Sequence, residues 1–125
     1  MENIIAQNIT KLRNAQNSRK LEVNLTYSNL MLDIMKVLRS EGFIRGFSLK
    51  PKGINVFLKY LNKNATLNNI FLVSKPSRRV YFSKGDVLKK SPNKGTFILS
   101  TSKGILSSSA AVEKNLGGEV LFFIN

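Results

Sequence analysis

Residues 96–124 read TFILSTSKGILSSSAAVEKNLGGEVLFFI, and their pattern sets the architecture of the C-terminal part of the chain. Thr96 to Ser100 has the β-branched and aromatic content of a strand. Thr101-Ser102-Lys103-Gly104 is a tight loop, after which Ile105-Leu106 continues extended. Ser107 has a hydroxyl able to cap a short helix running to Lys114. Asn115-Leu116-Gly117-Gly118 is a turn, and Glu119 to Ile124 is apolar enough to be a largely buried closing strand. The loop is therefore expected on a strand end, beside a helix start.

Upstream, Lys84 to Gly95, with Pro92 inside it, reads as a polar hinge at the seam between two lobes. Arg79 to Ser83 and Ala65 to Ser74 are extended, separated by the breaker Lys75-Pro76-Ser77. Further back, Ile54 to Leu61 alternates and pairs with Phe43 to Leu49 across Lys50-Pro51-Lys52-Gly53, where Pro fixes φ and Gly accepts a positive one. Ser28 or Asn29 caps a helix whose core stripe is Leu30, Ile34, Val37 and Leu38, and Gly42 stands at its left-handed end. Glu22 to Leu25 is a short strand. Ile5, Ile9 and Leu12 form the stripe of a first helix, about residues 3–16, with Asn14 to Ser18 a polar stop. The expected fold is α+β in two small lobes: an N-terminal α-β-α-β-β lobe, 1–74, and a C-terminal, mostly β lobe with one short helix, 75–125.

Composition narrows the function. The 125 residues are 42% hydrophobic and 22% charged, enough for a packed core. Twenty Lys and Arg against seven Asp and Glu give +13, an excess that a polyanion such as nucleic acid would screen. The charge is even along the chain, 10 basic and 4 acidic groups in residues 1–62 and 10 and 3 in residues 63–125, so it belongs to the folded body. With no Cys there are no disulfides or thiolate metal sites, and with no His there are no Ser–His or Cys–His nucleophile pairs. The carboxylates Glu2, Glu22, Asp33, Glu41, Asp86, Glu113 and Glu119 are scattered, without the clustering a two-metal nuclease needs. We expect no catalysis, no metal, no cofactor and no small-molecule substrate. No apolar run approaches the roughly 20 residues of a membrane span, and Met1 to Ile5 does not open a secretory signal or transit peptide. The sequons at Asn8, Asn24 and Asn64 are then without consequence.

Three clusters suit RNA. Ser100-Thr101-Ser102-Lys103-Gly104 combines hydroxyls, an ammonium and a Gly, the groups that bond phosphates and 2′-hydroxyls and permit close approach; a polar hairpin turn is the equal alternative. Ser74-Lys75-Pro76-Ser77-Arg78-Arg79-Val80-Tyr81 offers cations for phosphates and a ring for stacking, or else a solvated connection with Tyr81 anchored in the core. Lys11, Arg13, Asn14, Arg19 and Lys20 lie on and just beyond the first helix, a solvated face or a phosphate-contacting edge.

The motifs together carry a resemblance. Ser100-Thr101-Ser102-Lys103-Gly104-Ile105, followed by Leu116-Gly117-Gly118-Glu119-Val120 and an apolar strand, resembles the small-subunit ribosomal protein S-eight family of bacterial and organellar type. Ile9-Thr10-Lys11-Leu12-Arg13-Asn14, Glu41-Gly42-Phe43-Ile44, Leu58-Lys59-Tyr60 and Ser74-Lys75-Pro76 to Arg79-Val80-Tyr81 fall in order with it, covering essentially the whole chain. The resemblance implies a two-lobe protein that binds small-subunit ribosomal RNA early in assembly, gripping an irregular helix of the central domain. It makes Ser100, Thr101, Ser102, Lys103 and Gly104 the sequence-reading contacts, with Tyr81 and Gly117-Gly118-Glu119 shaping or flanking them. Arg79 and Lys75 would add cations, and Lys11, Arg13 and Asn14 would touch a second RNA helix.

The chain departs from the family pattern at Ala15 and Ser77, where Gly is usual, at Asn115, where a helix-ending Gly is replaced, and at Ser107-Ser108-Ser109 and Val112, where basic residues are common. The expected partners are ribosomal RNA and neighbouring small-subunit proteins, with no membrane. A regulator of its own messenger, using the same surface, is the alternative; a nuclease and a duplex-DNA binder are rivals from other classes. A composition rich in Asn, Lys, Ile and Phe suits a mitochondrial ribosome, with a plastid or an AT-rich bacterium as alternatives.

Overall fold

The structure, a computed structural model, describes residues 2–61, 64–65, 70–75, 77–90 and 95–124. Thr66, Pro76 and Pro92, on which parts of the sequence reading fall, lie outside the described residues. Two compact units divide after Asn68.

The first unit opens with helix α1 (Glu2–Asn17), strand β1 (Glu22–Leu25) and helix α2 (Asn29–Ser40). Strands β2 (Ile44–Lys50) and β3 (Gly53–Leu58) follow, then the short pair β4 (Tyr60–Leu61) and β5 (Asn64–Ala65). The order β1-β3-β2 makes an antiparallel sheet, while β4 and β5 pair separately. Alternation sets the buried face: Leu25 pairs with Ile54, Val23 with Val56 and Ile44 with Leu58. The helices contribute Ile5, Ile9, Leu12 and Ala15 from α1, and Met31, Ile34, Met35 and Leu38 from α2. The α2 stripe thus turns toward the two methionines, leaving Leu30 and Val37 half-buried at its flanks.

Both ends of α2 follow their sequence signals. Ser28 accepts from the Met31 N–H at 3.0 Å, and Gly42, at φ 83, lets the Phe43 N–H close back on Leu38 O at 2.9 Å. Helix α1 ends where Arg19 turns left-handed, at φ 59, and the Lys20 N–H reaches Ala15 O. Asn8, which falls between the apolar residues of the α1 stripe, is fully buried. Its amide donates to Thr26 O and accepts from Thr26 N–H, each at 3.0 Å, joining α1 to the chain beyond β1.

The second unit comprises β6 (Ile70–Leu72), β7 (Tyr81–Phe82), α3 (Lys84–Lys90), β8 (Thr96–Thr101), β9 (Gly104–Ser107), α4 (Ser108–Glu113) and β10 (Gly118–Ile124). Its sheet runs β6-β10-β8-β9, with β7 also on β10, and every pairing is antiparallel. A core of Val87, Leu99, Ala111 and Val120 lies on one face, with Phe82, Phe97 and Leu106 packed against it. Because β6 pairs with β10, the structure groups residues 70–72 with this unit, whereas the boundary drawn at 74/75 left them in the N-terminal lobe.

The expected hinge is corrected in its first half: Lys84–Lys90 is a helix, so this lobe has two short helices. Ser83 accepts from the Asp86 N–H and Asp86 accepts from the Ser83 N–H, both at 3.1 Å, a reciprocal cap that starts α3. Val87, 1% exposed, then anchors the helix in the core. The strand expected over Arg79 to Ser83 is confined to Tyr81–Phe82.

Candidate nucleic-acid interface

The cross-strand register of the second unit assembles the predicted loop and turn into one surface. Tyr81 on β7 faces Glu119 on β10, Glu119 faces Ser100 on β8, and Ser100 faces Ile105 on β9. Residues opposite one another across neighbouring strands share a face, so these side chains form a row on the side of the sheet away from Leu99 and Val120. Tyr81 is 65% exposed; it is a surface ring and not a core anchor.

The Thr101–Gly104 hairpin carries the row to its tip. Gly104 sits at φ 104, a left-handed conformation that admits the two-residue turn Ser102-Lys103. The Thr101 hydroxyl donates to Gly104 O at 2.8 Å and accepts from the Lys103 N–H at 3.1 Å, so its hydrogen-bonding capacity holds the turn. Ser102 and Lys103 are exposed at the apex, and Ser100 is half-buried. The Ser100 and Ser102 hydroxyls form no hydrogen bond among the described residues. The helix start expected beside the loop is displaced: α4 begins at the opposite end of β9, where the Ser107 hydroxyl accepts from the Ala110 N–H. Ser108 is buried and accepts from the Phe97 N–H at 3.3 Å.

Gly117 and Gly118 contribute space. A Cβ on Gly117 would overlap Phe82 O, and one on Gly118 would overlap Ser100 O. Their bare backbones let β10 start between the beginning of α3 and the end of β8, which fixes where Ser100 stands. Asn115, at φ 56, supplies the left-handed end of α4 in place of Gly.

Charge around the row is balanced locally. Arg79 Nη1 lies 3.3 Å from Glu119 Oε2, so the carboxylate within the row is paired with a cation. Lys75 stands on a tight turn in which Lys75 and Arg78 exchange backbone hydrogen bonds at 2.9 and 3.0 Å. Ser74, which the sequence grouped with these cations, is buried: its hydroxyl donates to Val120 O at 2.5 Å and accepts from the Val80 N–H at 3.0 Å. It pins both ends of the Lys75–Arg79 excursion to β10.

In the first unit, Lys11 and Asn14 are one turn apart on α1 and line an open cleft of about 220 Å³ with Ala15, Ser18, Lys20 and Val23. Ser18 continues the Lys11–Asn14 spacing, a signal that helical periodicity could have revealed. Arg13, offset on the helix, is half-buried. Arg19 stacks its guanidinium 5.7 Å from the Tyr60 ring centre, and the Tyr60 hydroxyl donates to Lys20 O at 2.6 Å. Burial, partly opposed by the Arg19 charge, holds that phenol above its usual pKa.

Comparison with known proteins shows what the whole chain is similar to. The family model described as "Ribosomal protein S8" matches residues 3–125. The chain is 39% identical over 125 residues to a protein of Ruthia magnifica named "Small ribosomal subunit protein uS8", covering 97% of this chain and 95% of that one. It is 43% identical over 128 residues to the protein of that name from Syntrophus aciditrophicus, with 97% and 96% covered, and 38% identical to that of Buchnera aphidicola, with 100% and 98% covered.

Proposed function

The chain belongs to the ribosomal protein S8 family, and from that premise we propose that it is a structural constituent of a small ribosomal subunit that binds the subunit's RNA directly and catalyses nothing. One observation carries this reading: the row Tyr81–Glu119–Ser100, continued by the exposed apex Ser102-Lys103, offers uncommitted hydroxyls, an exposed ring and one ammonium around a carboxylate already paired with Arg79.

A-form RNA presents 2′-hydroxyls and base edges in a wide, shallow minor groove, and unpaired bases where the helix is irregular. The Ser100 and Ser102 hydroxyls can each donate to and accept from those groups. Lys103 neutralises a phosphate, and the Tyr81 ring stacks on an unpaired base or borders the groove. Thr101, Gly104, Gly117 and Gly118 act by geometry, holding the turn and setting the β8–β10 spacing. Arg79 keeps Glu119 from repelling the backbone, and Lys75 adds a cation on the flank. Lys11 and Asn14, with Arg13 nearby on α1, supply sequence-independent phosphate contacts.

The target we propose is an irregular helix of the central domain of the small-subunit RNA, and neighbouring small-subunit proteins are the other partners. We place this ribosome in a mitochondrion, on the strength of the bias toward Asn, Lys, Ile and Phe; recovery of the chain in ribosomes of a plastid or a bacterial cytoplasm, after cell fractionation and mass spectrometry, overturns that placement.

The test is binding to an irregular central-domain hairpin against a scrambled hairpin of equal length, at two salt concentrations. A preference that survives the higher salt, and that Ser102→Ala abolishes, supports the reading. Equal binding that collapses with salt refutes it.

A further inference from the structure

A second surface, in the first unit, has no part in the interface above. The β2–β3 hairpin turns through Lys50-Pro51-Lys52-Gly53, with Lys50 paired to Gly53. Gly53 adopts φ 149, and a Cβ there would overlap Leu25 O, so the hairpin tip lies directly against the end of β1. This brings it to Tyr27, two residues beyond that end. Tyr27, Leu49, Lys50, Pro51, Lys52 and Gly53 line an open cleft of about 400 Å³.

The lining has three properties in combination. Tyr27 and Leu49 are 47% and 57% exposed, large apolar surfaces left in water. The Tyr27 hydroxyl donates to Asn29 Oδ1 at 2.7 Å, which orients the ring and uses its polar handle, so the ring has its face to offer. Lys50 and Lys52 are both exposed, and none of the six lining residues is acidic. An aromatic face and two cations lining one cleft match a ligand that is itself flat and apolar on one part and anionic on the next. An acidic peptide would satisfy the lysines and leave the ring and Leu49 without a planar partner; a nucleotide satisfies both.

We propose that this cleft binds an unpaired nucleotide of single-stranded RNA, its base stacked on Tyr27 against Leu49 and Pro51, and its flanking phosphates on Lys50 and Lys52. The proposal rests on the reading that the chain binds RNA, and it adds a site separate from the Ser100–Gly104 loop.

The chain contains no Trp, so Tyr27→Trp in the full chain places a single indole in the cleft. Stacking of a base quenches its fluorescence. Titration with a nine-nucleotide oligoadenylate is expected to give saturable quenching, and an oligoglutamate of equal charge none. Adding Lys50→Ala and Lys52→Ala should weaken the apparent affinity for oligoadenylate about tenfold at low salt. A competition measurement on Tyr27→Ala, which needs no indole, should show a loss of about tenfold. Absence of quenching together with native affinity in Tyr27→Ala overturns the proposal, as does equal quenching by oligoglutamate, which would make the cleft a protein-binding one. The native chain is titrated in the same buffer with the central-domain hairpin and its scrambled control. Loss of preference there refutes the proposed function, whereas a preserved preference with a silent cleft refutes this site alone.

Discussion

Replacing Ser74 by Ala separates two roles that its position between a strand and a cationic segment allows. The hydroxyl has one proton, and the 2.5 Å contact with Val120 O is the bond it makes, the 3.3 Å approach to Val80 O being secondary. Its lone pairs take the Val80 N–H at 3.0 Å. Ser74→Ala removes both bonds at a site 8% exposed, and Val120 is fully buried, so the Val120 carbonyl loses its Ser74 donor without water to replace it. At about 1 kcal/mol per net hydrogen bond, with an added penalty for a buried group left unpaired, the expected loss is about 2–3 kcal/mol. Urea sensitivity for a chain of this size is of order 1–3 kcal/mol per molar, so the transition of the second unit should move down by about 1–2 M. Amide exchange gives the residue-level reading: the Val80 N–H should lose protection well beyond that of amides in the first unit. The salt dependence of RNA binding should stay as in the native chain, because no phosphate contact is removed. An unchanged urea midpoint with a weakened, less salt-dependent RNA affinity would refute the structural role and return Ser74 to the RNA-contacting group.

Other perturbations test the remaining elements. Gly118→Ala forces β10 away from Ser100 O and should cost about 1–3 kcal/mol while abolishing hairpin preference, although glycine has no side chain to touch RNA; urea titration and hairpin binding together check it. Asp86 is held below the ordinary carboxylate pKa, first by the Ser83 backbone N–H and then by the Ser83 hydroxyl, with Lys90 and Lys89 assisting. Its stabilising contribution is therefore complete above the unfolded-state value and lost as pH falls through the lower folded-state value, so acid melting curves of the native chain should show a step that Asp86→Asn lacks. Lys11→Ala should weaken binding to cognate and scrambled RNA alike and make the slope of affinity against salt shallower by about one.

Much of this organisation was legible in the residues, for reasons that are local. The α1 stripe, the Ser28 cap, the left-handed Gly42 and the Ser107 cap act within a few residues of themselves, and the structure has each where the sequence put it. Helix α3 was legible in principle through Ser83 and Asp86, but Gly85 and the lysines after it outweighed the cap and gave a hinge instead. The α2 stripe went wrong by a rotation of the face, because Met31 and Met35 serve as core residues as well as Leu30 and Val37 would. What could not be read was everything set at long range. Nothing near Asn8 announces Thr26, nothing near Ser74 announces Val120, and the membership of β6 depends on β10, some fifty residues away. In the candidate interface the motif named the residues, while only cross-strand register shows that Tyr81 and Ser100 flank Glu119, that Thr101 is committed to its own turn, and that the paired glycines are spacers.

The position of β10 has a consequence for the order in which the protein comes into being. Its partners β6, β7 and β8 are all synthesised before it. The pairing of β8 with β9, closed by Thr101, joins strands adjacent in the chain and can form on a growing chain. Tyr81 and Ser100 cannot become neighbours in this way, because Glu119 is the residue that stands between them. The cationic excursion fastened by Ser74 waits for Val120 in the same manner. A nascent chain therefore exposes the Ser102-Lys103 tip early but has no assembled row beside it, and the surface proposed to read RNA is complete only once the strand from Gly118 to Ile124 has emerged and threaded into the sheet.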